Sequence, residues 1–72
     1  GWTLAVLNEL YRLGRDNFTL QEAYQSEGRL SALFPNNQNV RPKIRQQLQL
    51  LRDLGLLEFV GRGCYRITPP AL

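Results

Sequence analysis

A chain of 72 residues, 43% hydrophobic and 21% charged, holds apolar material for one small core and not for two, which predicts a single ordered domain. One cysteine and no histidine leave no internal disulfide, no soft-ligand set for structural zinc and no usual general base, so neither a metal-held scaffold nor catalysis is expected. The net charge of +3 is unevenly placed: residues 1–36 carry Arg12, Arg15 and Arg29 against Glu9, Asp16, Glu22 and Glu27, a net −1, whereas residues 37–72 carry a net +4.

Trp2, Val6, Leu10 and Leu13, joined by Leu7 and Tyr11, recur at helical spacing and predict an amphipathic first helix that Gly14 stops. Trp2, at the head of this stripe, reads as a core anchor rather than an aromatic cage. Thr19 and Glu22 form a T-x-x-E capping box, so a second helix begins at Leu20, with Phe18 and Ala23 placed as a hydrophobic staple. Leu20, Ala23 and Tyr24, then Leu30, Leu33 and Phe34, continue an apolar face across Gly28, consistent with two short helices or one kinked helix. The run Pro35 to Asn39 breaks the periodicity with turn-forming residues, and Asn39 is placed to cap the next helix.

From about Val40 to Leu54 the pattern is sharpest. Val40, Ile44, Leu48, Leu51 and Gly55 fall within about 40° of one direction at 100° per residue and predict a buried face. Pro42, Gln46, Gln49 and Asp53 lie opposite, with Arg41, Arg45 and Arg52 along one flank and Lys43 on the other. Pro42 sits in the first turn, where its missing N–H has no acceptor to lose. After Gly55, Leu57 to Val60, the turn Gly61-Arg62-Gly63 and Cys64 to Ile67 read as a hairpin. Leu57, Phe59, Tyr65 and Ile67 face one way, and Glu58, Cys64 and Arg66 the other. Residues 1–68 are the expected domain and 69–72 a C-terminal tail. The absence of any long apolar stretch and of a basic-then-apolar leader predicts an intracellular protein with no membrane partner. A start at Gly1 without any Met predicts a piece of a longer chain.

The layout is therefore mainly α with a small β-hairpin: three helical segments plus a wing, the winged helix-turn-helix arrangement of many DNA-binding domains. An exposed glutamine amide can pair with adenine N6 and N7, and arginine with guanine or phosphate, so Arg45, Gln46 and Gln49 are suited to base edges. Arg41, Lys43 and Arg52 suit phosphate, and Arg62 stands at the tip of the wing. Asn37, Asn39, Val40, Pro42 and Arg66 complete the expected double-stranded DNA surface. No catalytic, cofactor or metal residue is predicted, and Cys64 reads as inert. The competing reading is a winged helix whose outward face docks or dimerises with protein.

The run KIRQQLQLLRDLGLLEFVGRGCYRI (Lys43 to Ile67), with GWT at the start and FTLQEAY (Phe18 to Tyr24) between, resembles the C-terminal winged-helix domain of DpnI-type restriction endonucleases. The resemblance covers nearly the whole chain, although Cys64 stands where the family commonly has a basic residue. It implies a sensor of N6-methyladenine in GATC, attached to an upstream metal-dependent nuclease domain in a bacterial, cytoplasmic, nucleoid-associated enzyme. Nothing in this chain matches that nuclease. Methyl groups on the two strands of GATC lie near one another in the major groove, and Val40, Pro42, Arg45 and Gln46 are the positions expected to sense them.

Overall fold

The organising element is the helix that the sequence marks most clearly, α4 (Val40–Asp53). The structure, a computed structural model, describes residues 1–69, and of the expected tail residues 70–72 lie outside the described residues. Before α4 come α1 (Trp2–Arg12), β1 (Asn17–Thr19), α2 (Leu20–Tyr24) and α3 (Glu27–Leu33); after it come β2 (Leu57–Gly61) and β3 (Cys64–Ile67). This is a winged helix-turn-helix fold, mainly helical with a small antiparallel sheet.

Ile44, Leu48 and Leu51 are within 1% of complete burial, and each contributes about 1.5–3 kcal/mol by leaving water. They pack against α1, α2, α3 and β2, so α4 is fixed from several sides. Val6 and Leu10 of α1, Leu30 of α3, and Leu57 and Ile67 of the hairpin fill the same core. Gln47 is also buried, and its Oε1 accepts from the Thr3 hydroxyl at 2.6 Å, tying α1 to α4. Glu9, almost as deeply buried, is held by Arg12 at 3.3 Å and Arg29 at 3.7 Å.

The capping box forms as the sequence predicts: the Thr19 N–H donates to Glu22 Oε1 at 2.8 Å and the Glu22 N–H to Thr19 Oγ1 at 3.1 Å. The open choice for the second helical segment resolves to two short helices. Their break lies at Gln25 and Ser26 rather than at Gly28, and there the Ser26 hydroxyl donates to the Ala23 carbonyl at 2.6 Å. At the end of α4, Gly55 takes φ +80°. The Leu56 N–H donates to the Leu51 carbonyl and the Gly55 N–H to the Arg52 carbonyl, both at 2.9 Å, which completes a Schellman motif.

The hairpin departs from expectation in two ways. Its turn is the two residues Arg62 and Gly63, with Gly63 at φ +67° and Gly61 within β2 opposite Cys64; the extra residue, Val60, is taken up as an irregularity between Phe59 and Gly61. It also gains a third strand, since β1 pairs antiparallel with β3 and gives the sheet order β1-β3-β2. The Leu20 N–H, at the start of α2, donates to the Gly63 carbonyl at 2.9 Å, joining the wing to the helical half.

Candidate nucleic-acid interface

The burial of one face of α4 decides what its other face can present. With Ile44, Leu48 and Leu51 inward, Pro42, Arg45, Gln46 and Gln49 are exposed. Pro42 and Gln46 line a shallow hollow with Asn37, Asn39 and Lys43. On the opposite side of the same crest, Pro42 and Gln46 join Arg45, Gln49, Phe59 and Tyr65 around a groove of about 410 Å³. Seven of the expected contact residues therefore form one continuous surface.

Asn39 occupies the N-cap position of α4 without a side-chain capping bond. Its N–H instead donates to Asn37 Oδ1 at 2.9 Å, which rigidifies the loop leading into the helix.

Of the five other expected residues, two turn away from this surface. Val40, expected from sequence as an outward methyl contact, is 4% exposed and belongs to the core. It starts the same stripe as Ile44 and Leu48, and one side chain cannot serve both faces. Arg66 lies on the sheet face away from α4, cross-strand from Glu58 and ion-paired with it. The alternation of β3 turns Tyr65 and Ile67 toward the helix and therefore Arg66 away.

The remaining cations sort by their partners. Arg41 donates to Glu27 Oε1 at 3.0 Å and lies 5.0 Å from the centre of the Tyr24 ring. Arg52 pairs with Asp53 at 3.2 Å and covers the Phe59 ring at 4.5 Å. Arg12, Arg15, Arg29 and Arg66 also have carboxylate partners. Among the described residues only Lys43, Arg45 and Arg62 lack an acidic partner. Lys43 and Arg45 flank the exposed glutamines, and Arg62 is at the tip of the wing. Lys43 Nζ stands 5.9 Å from the ring of Trp2. That ring stacks on Phe34 at 4.2 Å, partly buried against the core as the anchoring reading requires.

The sequence marks Phe59 and Tyr65 only as the inward side of the hairpin. Phe59 is 44% exposed because its strand runs past the edge of the core. Tyr65 stacks on Phe18 at 5.3 Å and meets Phe59 edge to face at 4.9 Å. Burial raises the pKa of its hydroxyl, opposed by the positive charge of Arg45, so the hydroxyl is protonated at neutral pH. The period-2 pattern tells which way these rings point but not where the core ends.

No helix among the described residues is long and apolar enough to cross a membrane. The family model described as a Dam-replacing HTH domain matches residues 1–67.

Proposed function

The chain belongs to the Dam-replacing HTH domain family, and on that premise we propose that α4 enters the DNA major groove and recognises N6-methyladenine in a GATC context. The observation that carries this reading is that Lys43, Arg45 and Arg62, which lack an acidic partner among the described residues, flank exposed Gln46 and Gln49 or stand on the wing, while the six other cations, Arg41 and Arg52 of α4 among them, are ion-paired. Gln46 and Gln49 offer paired donor and acceptor groups to adenine edges. Lys43 and Arg62 take phosphates, with Asn37 and Asn39 beside the helix start. With Val40 in the core, the apolar atoms left for the methyl groups are the Pro42 ring and the aliphatic stems of Arg45 and Gln46. Burying two methyls contributes on the order of 1–2 kcal/mol, about tenfold or more in affinity. In this reading the domain is the methyl-sensing accessory of a restriction endonuclease whose nuclease domain lies elsewhere in the parent chain.

The test is a titration of otherwise identical duplexes with methylated or unmethylated GATC, repeated across salt. Tighter binding to the methylated duplex is expected, and equal affinities would sink the methyl reading. Three free cations predict a log–log salt slope of about −3. A second reading, docking to protein, is favoured by Leu50 of α4 and Leu54 at its C-cap, 41% and 60% exposed and four residues apart. It predicts a weak dependence on salt and no binding to either duplex.

A further inference from the structure

The groove between α4 and the hairpin has a composition that base reading does not account for. Gln46 and Gln49 lie on the crest of α4, where they would reach furthest into the DNA groove. Arg45 lies on the flank that turns toward the sheet, where the neighbouring Arg52 already covers the Phe59 ring. A helix seated in a major groove meets base edges with its crest and the sugar–phosphate wall with its flanks.

The flank side of this groove offers three chemically distinct groups. Arg45 is a cation with no acidic partner among the described residues. The Tyr65 hydroxyl has no protein hydrogen bond among the described residues and is not sealed from solvent, so it is an open donor. The half-exposed Phe59 ring, partly covered by Arg52, adds apolar surface beside both.

A cation, a neutral donor and an apolar surface together match one phosphodiester and its adjoining sugar better than a flat base edge, which calls for coplanar amide pairs. We propose that the groove clamps one nucleotide's deoxyribose phosphate, with the Arg45 guanidinium and Tyr65 hydroxyl on the phosphate oxygens and Phe59 against the sugar. Tyr65 and Phe59 are thereby positioning residues for the strand that passes between helix and wing. The Arg45 head group belongs to the backbone, and its stem alone remains beside the bases. The assignment rests on the DNA-binding reading above but not on its methyl specificity.

Tyr65→Phe removes only the hydroxyl and keeps both ring contacts, and Arg45→Gln removes an exposed charge and leaves a shorter polar side chain; thermal melts verify that both variants fold. On methylated and unmethylated GATC duplexes Tyr65→Phe is expected to weaken binding alike, by about tenfold, because a hydrogen bond to a charged oxygen is lost. Arg45→Gln is expected to make the salt slope shallower by about one. In a set of duplexes each carrying a single neutral methylphosphonate, one position should weaken the wild type more than it weakens Tyr65→Phe, which keeps only the Arg45 contact there. Unchanged affinity of Tyr65→Phe overturns the clamp. So does an Arg45→Gln that alters the methylated-to-unmethylated ratio and leaves the salt slope alone. Equal wild-type affinity for the two duplexes removes the methyl reading only, with Tyr65→Phe still deciding the clamp, whereas no binding to either removes both.

Discussion

Gln46 and Gln47 are neighbours in sequence and point about 100° apart, which gives them opposite physical roles. Gln47 is buried against Thr3, so Gln47→Ala is expected to lower stability by about 1–2 kcal/mol while leaving the DNA affinity of the folded fraction intact. Gln46→Ala should do the reverse, with a melting temperature near that of the wild type and weaker binding. Denaturation and titration of the two variants separate the roles, and a matching loss of stability in both would contradict them. The sequence alone could not separate them, because glutamine is acceptable on either face until a partner such as Thr3 is found across the core. Tyr65 carries a second expectation. Its burial raises the folded-state pKa above the ordinary 10.0, so the folded state favours the protonated hydroxyl. The associated stability is present below about pH 10 and is lost as pH rises through the raised value. Tyr65→Phe should therefore flatten the alkaline limb of a stability–pH profile, and an unaltered limb would assign that loss to other groups.

At the scale of elements, local signals are legible in the sequence and distant ones are not. The Thr19 and Glu22 capping box and the glycine end of α4 are encoded within a few residues, and both form. Gly55 stands at φ +80° with open space where a Cβ would lie, so the cost of Gly55→Ala is backbone strain alone. About 1–2 kcal/mol is expected, seen as a lower urea midpoint at unchanged slope; an unshifted midpoint would mean that the helix end relaxes. By contrast β1 is only three residues long, too short to show alternation, and it becomes a strand because β3 supplies its hydrogen-bond partners. The break between α2 and α3 is blurred for a related reason. Gly28 is the weakest helix former in the stretch, yet the turn forms where the Ser26 hydroxyl can bond the Ala23 carbonyl.

Across the whole molecule, the half-chain charge imbalance points to the surface but not to which cations are free. Arg41 meets Glu27 across two helices, and Arg29 meets Glu9; such pairs exist only once the chain has folded. Glu27→Gln should release Arg41 and, if the α4 surface lies on DNA, tighten binding and steepen the salt slope by about one. A slope equal to that of the wild type would place Arg41 away from the phosphates. The residue types suited to DNA are thus legible, and so is the facing that removes Val40 and Arg66 from the surface, since Val40 lies on the apolar stripe of α4 and Arg66 on the face of β3 away from Tyr65 and Ile67. The small strand β1 has one further consequence, for the order in which the molecule assembles. It brings Phe18 beside Tyr65 from opposite parts of the sequence, a contact whose loop-closure entropy is met late, after the helices have condensed. The sheet is therefore expected to close last and open first. In native-state hydrogen exchange the Leu20 amide, bonded to the Gly63 carbonyl, should exchange by a lower-energy opening than the Leu48 amide within α4. Equal opening energies would make helix and wing a single cooperative unit, whereas a lower one leaves the wing free to adjust while α4 stays formed.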